Sequence, residues 1–119
     1  MLKTKNKAVI KRPSAKISTE DTELAKKYLQ GAVHIYCKNN PGKAFSLRDL
    51  VGGENKDWGE TPLQPIYDYH ISLGKTKEKA KKQAAIDAGW LLKAVLAEEQ
   101  HRLFEQMQGP RSKLYRKID

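Results

Sequence analysis

The side chains in this chain best suited to chemistry are cations, and the chemistry they suit is the holding of phosphate. Lys75, Lys77, Lys79, Lys81 and Lys82 crowd the start of an expected helix and are opposed only by Glu78. A helix N-terminus carries partial positive charge, so lysines there work against local helix stability. The same grouping of free amides and ammonium groups can clamp a phosphate; a solvated helix face would carry the same lysines. Two further basic clusters occupy the ends. Lys3, Lys5, Lys7, Lys11, Arg12 and Lys16 lie within residues 1–17 without an acid, and Arg111, Lys113, Arg116 and Lys117 lie within residues 110–119 against Asp119 alone. These excesses of six and three account for the whole net charge of +9, because residues 18–109 hold 13 basic and 13 acidic side chains. A neutral body with cationic ends suits a chain that meets a polyanion, nucleic acid above all.

Other constellations are thinner. Gln64, at the start of an expected helix, is a candidate for reading adenine, although Asp68 on the same helix would repel phosphate. Tyr115, between Lys113 and Arg116, could stack on a base. Gly74-Lys75-Thr76 has the ending of a phosphate-binding loop, but the glycine required five residues earlier is Tyr69, and a helix rather than a strand precedes it. His34 and Cys37 stand three apart, with His70 and His101 isolated; structural zinc needs a second close pair. No paired carboxylates and no nucleophile–base motif stand out, so neither catalysis, nor a metal, nor a cofactor is expected.

The elements that must position these residues are helical. Ser18 and Asp21 have capping-box spacing and open a helix whose apolar stripe is Leu24, Tyr28, Ala32, Ile35 and Tyr36; Asn39-Asn40-Pro41-Gly42 ends it. Ser46 and Asp49 repeat the box, with Phe45 and Leu50 at the staple positions, and Gly52-Gly53 stops that short helix. An acidic loop follows, with Trp58 expected to plug the body. A third helix opens near Thr61-Pro62 or at Pro65, turns Leu63, Ile66, Tyr67, His70 and Ile71 inward, and closes at Gly74. The last helix starts at Thr76 and is expected to reach Gln108, with Trp90 in the core and Gly89 marking a crossing, a bend or a break. Lys43-Ala44-Phe45 is expected to form a short bridge at most, and Ala8-Val9-Ile10 could dock as a strand. No membrane span is expected, since no apolar run approaches the roughly 18–20 residues required. The single cysteine, Cys37, fits a reducing cytoplasm.

The stretch FSLRDLVGGENKDW followed by TPLQPIYDYHISLGK resembles a class of small helix-turn-helix-type proteins of Gram-positive bacteria and mobile elements. The shared features are a Phe-Ser/Thr-x-Arg/Lys-Asp-Leu opening, a nearby Trp and a helix ending in Leu-Gly. The resemblance covers residues 45–75 and implies a helix-turn-helix-like fold without transferring any functional residue. The expected architecture is therefore mainly α: a compact four-helix domain at residues 18–109, with a long last helix, a disordered basic arm at 1–17 and a basic tail at 110–119. The expected function is non-enzymatic nucleic-acid binding, with DNA favoured over RNA, in an accessory or regulatory role. The alternative is a protein-interaction module, adaptor or inhibitor, acting through the neutral body.

Overall fold

The computed structural model describes residues 1–4, 9–52, 57–110 and 112–118. Local signals set three of its four helix starts. In α1 (Thr19–Asn39) the Ser18 hydroxyl accepts from the Asp21 amide at 3.0 Å. In α2 (Leu47–Val51) both halves of the box form: Ser46 Oγ accepts from the Asp49 amide, and Asp49 Oδ2 accepts from the Ser46 amide at 2.8 Å. In α4 (Lys77–Glu98) Thr76 Oγ1 accepts from the Lys79 amide. The third helix, α3 (Gln64–Ser72), has no side-chain cap; Pro65 stands in its first turn, where a missing amide hydrogen costs no helix bond. Gly74 leaves α3 at φ 84°, a conformation that glycine adopts without strain.

Both α3 and α1 lie against α4, and α2 touches α1 and α4. The face that α1 turns inward is Ala25, Leu29 and Val33. This corrects the expected stripe in part: Leu24, Tyr28 and Ile35 are exposed, whereas Ala32 and Tyr36 are half-buried and Tyr36 packs against the core. Both sets have helical spacing, and only the position of α4 decides between them. On α3, Leu63, Ile66 and His70 are buried while Ile71 faces outward. Trp58 does plug the body: its ring is buried and its Nε1 donates to the Val51 carbonyl at 3.1 Å. Helix α4 runs unbroken through Gly89.

The larger correction concerns both ends of the chain. Helix α4 stops at Glu98, ten residues short of expectation, and residues 104–108 form a strand. Strands β1 (Leu2–Lys3), β2 (Phe104–Gln108) and β3 (Lys113–Lys117) make a sheet in that order, β1 parallel and β3 antiparallel to β2. So the described parts of the expected disordered arms are not separate from the body. The reason is that each basic strand meets a partner the eye passes over. Glu105 stands opposite both Lys3 and Arg116 in register, and such opposite-charge pairs favour a sheet. Phe104 and Tyr115 turn inward beside Phe45, which bridges to Tyr115 through two backbone hydrogen bonds. Both rings lie 6.1–6.2 Å from that of Phe45, each pair adding about 0.5–1.5 kcal/mol beyond its burial. Val9 and Ile10 are exposed and belong to no strand.

Candidate functional site

The positive side chains that converge do so in a groove of about 410 Å³ between α2, α4 and β3. Its floor is Leu47, Ala85, Ile86, Gly89 and Trp90, and its rim is Arg48, Lys82, Lys93 and Lys113. Four cations come from three elements, and no acidic residue lines the groove among the described residues. The α4 contribution follows from helical spacing: Lys82, Ile86, Gly89 and Lys93 recur at steps of three and four and share one face. Gly89 has open space where a Cβ would stand, so its small size keeps the floor low rather than easing a helix crossing. The Lys93 ammonium is held below the usual lysine range, first by burial and then by the like charge of Lys113. An anion beside Lys93 would offset the like charge and favour the ammonium form.

Trp90 is the hinge of this region. It is half-buried, not a core residue as expected, and its indole carries two cations: Lys93 Nζ at 5.4 Å and Lys11 Nζ at 5.6 Å from the ring centre. Lys11 reaches it from an extended strap, residues 9–18, that crosses α4. A second hollow of about 820 Å³ lies under the strap, bordered by Lys11, Arg12 and Lys16, with Trp90 in its wall as well. The indole therefore stands between two basic surfaces.

The strap is fastened by a polar knot. Asp87, buried on α4, accepts from the Ser14 amide (2.9 Å), the Ser14 hydroxyl (3.0 Å) and the Ala15 amide (3.2 Å). His70 Nε2 meets the same carboxylate at 2.6 Å, and Lys75 Nζ donates to His70 Nδ1 at 2.7 Å. A lysine ammonium only donates, so Nδ1 accepts and Nε2 carries the proton toward Asp87. Ser14, Asp87, His70 and Lys75 thus form a chain of matched donors and acceptors joining strap, α3 and α4. The serine hydroxyl and the imidazole Nε2 both turn to Asp87 rather than to each other.

The expected phosphate-binding residues fall into distinct places. Lys82 and Lys113 line the groove; Lys11, Arg12 and Lys16 lie on the strap; Lys77 and Lys79 are exposed at the start of α4. Lys81 is half-buried on the same helix, and Lys3 is exposed on β1. Lys75 is taken up by His70, and Arg116 is paired with Glu105. Lys117 is half-buried on β3 and bears on Cys37. Lys5, Lys7 and Arg111 lie outside the described residues. Gln64 is half-buried, and its side-chain oxygen accepts from the Glu60 amide at 2.8 Å, closing the loop before α3 rather than facing a base. Tyr115 is a core residue whose phenol burial pushes up to about 12. Arg102 stands beside both His34 and Cys37: it faces the His34 ring, and burial raises the Cys37 thiol despite the pull of Arg102 and Lys117. Among the described residues no group of three or more His, Cys, Asp or Glu is placed to hold a metal, and no helix is long and apolar enough to cross a membrane. Arg48, Lys93 and Trp90 escaped sequence reasoning as site residues; the lysine and the arginine are single charges outside the basic runs, with nothing local to mark them.

Compared with known protein families, curated proteins and solved structures, the chain has no match.

Proposed function

We propose that the chain is a non-enzymatic nucleic-acid-binding protein, a cytoplasmic DNA-binding accessory or regulatory factor that grips the sugar-phosphate backbone in the groove between α2, α4 and β3. The observation that carries this reading is the convergence of Arg48, Lys82, Lys93 and Lys113 on one apolar floor with no acid among its lining residues. Uncompensated cations are costly to gather, and a phosphate backbone removes that cost. The floor and the Trp90 indole offer an apolar surface to a sugar or a base. Lys11, Arg12, Lys16, Lys77 and Lys79 extend the positive field along α4. The resemblance of residues 45–75 to helix-turn-helix-type proteins agrees with DNA as the target. Groove insertion by α3 has less support, since Gln64 is engaged with the loop and His70 with Asp87.

Binding is tested on the intact chain, because residues 14 and 15 are fastened to Asp87 and cannot be clipped without disturbing the body. Fluorescence anisotropy with duplex DNA is followed at salt concentrations from about 50 to 200 mM. The logarithm of affinity is expected to fall linearly with the logarithm of salt. Lys82→Gln with Lys113→Gln should make the slope shallower by about 1.8, at roughly 0.9 for each phosphate left without its lysine. Both side chains are exposed, so the fold should survive. Salt-independent binding, or an unchanged slope in the double variant, overturns the reading. Single-stranded DNA and RNA in parallel rank the classes of nucleic acid.

The alternative, a protein-interaction module, has an observation of its own: the exposed apolar side chains of α1, on a helix whose opposite face packs on α4.

A further inference from the structure

We propose that this chain pairs with a second copy of itself through the outer face of α1, the two helices running antiparallel. Leu24, Tyr28 and Ile35 are 48%, 37% and 55% exposed, and they recur with Gly31 at steps of three and four residues. Together they form a continuous apolar stripe along a helix of 21 residues. An amphipathic helix normally shows one such stripe and turns it toward the core; α1 has two, and Ala25, Leu29 and Val33 already serve the core.

Gly31 points to what covers the outer stripe. It sits mid-helix, where glycine is unfavourable. A Cβ added there would meet nothing within 4 Å, so nothing inside the molecule requires its smallness. A bare backbone patch flanked by Tyr28 and Ile35 is a seat for a bulky side chain arriving from outside.

The charges choose the occupant and its direction. The first turn of α1 is acidic, with Glu20 and Asp21, and its last turn carries Lys38. Helical geometry places Glu20 and Lys38 at the two ends of the stripe, on the same flank and about 50° from its centre line at 100° per residue. An antiparallel second copy sets Leu24 opposite Ile35 and Tyr28 opposite Gly31, and brings Glu20 beside Lys38, each contact occurring twice by two-fold symmetry. The tyrosine fills the glycine seat. A parallel pair would stack acid on acid and base on base and leave glycine facing glycine. The stripe is self-complementary in shape and charge in one direction only. Because a single helix pair buries at most on the order of 1,000 Å², at the small end of specific interfaces, the dimer is weak and dissociable.

Sedimentation velocity on the full chain, from micromolar to millimolar concentration and without nucleic acid, tests this. A reversible monomer–dimer equilibrium is expected. Ile35→Glu should abolish it. Gly31→Gln should keep or raise the melting temperature, since the space is open, while loosening association about tenfold; a merely structural role for Gly31 would not separate the two readouts. Glu20→Lys should weaken pairing, and Glu20→Lys combined with Lys38→Glu should restore it. A strictly monomeric wild-type chain at millimolar concentration overturns the proposal. So does a dimer untouched by Gly31→Gln, or a charge exchange that fails to rescue. DNA binding is read separately, so failure here leaves the groove unaffected.

Discussion

Tyr115 shows how a residue's position in the fold overrides its neighbours in the chain. Its flanking cations suggest an exposed aromatic, yet its ring packs on Phe45 and burial raises its phenol to about 12. An unfolded tyrosine titrates near 10. The native state therefore keeps this proton through a range in which the unfolded chain gives it up. Stability is unaffected below about pH 10 and falls as pH rises from there toward 12, by at most about 2–3 kcal/mol at 1.36 kcal/mol per unit. Tyr115→Phe keeps the ring and removes the proton, so urea unfolding across that range should decline less steeply for the variant. Parallel decline in both proteins would show that the buried phenol is not the cause. Trp90 makes the opposite case: an apolar residue inside an apolar stretch that the fold leaves half-open between two lysines.

At the scale of elements, the strap depends on one carboxylate. Asp87→Ala leaves the Ser14 and Ala15 amides and the His70 Nε2–H without their acceptor, and loss of one partner in a buried charged network costs about 3–5 kcal/mol. Urea unfolding should report a loss of that size, and amide exchange at Ser14 and Ala15 should accelerate before that of α4; unchanged protection would mean the strap is held elsewhere. Helix starts were legible in the sequence because a cap is a contact between residues three apart: Ser18 with Asp21, Ser46 with Asp49, Thr76 with Lys79. The plug made by Trp58 and the bridge at Phe45 were legible too. The sheet was not, because Leu2 and Phe104 pair across a hundred residues and neither strand alternates cleanly. The inner face of α1 was hidden for a different reason: Leu24-Tyr28-Ile35 and Ala25-Leu29-Val33 have equally good periods, and the bulkier set lost. Of the groove, Lys82 and Lys113 could be named from charge runs, whereas Arg48 and Lys93 gain meaning only when α2, α4 and β3 meet.

For the whole molecule, the two surfaces are compatible. The α1 stripe lies on the side of that helix away from α4, while the groove is built on α4, α2 and β3. A pair joined through α1 as proposed would leave both grooves open, and two surfaces of the proposed phosphate-binding kind would then act on one polyanion with the gain that linkage brings. Compactness is ordinary: the radius of gyration is 13.9 Å, against about 13.5 Å expected for a chain of this length. What is unusual is the order in which it can be completed. The first strand has no partner until β2 emerges from the ribosome about a hundred residues later, and closing so long a loop is slow. Refolding should accordingly show helix signal recovering first, with exchange protection of the Phe104 amide, which donates to the Met1 carbonyl, lagging behind it. Until then Leu2 lacks the strand that covers it, which makes nascent or refolding chains of this protein the ones most exposed to aggregation and to early proteolysis.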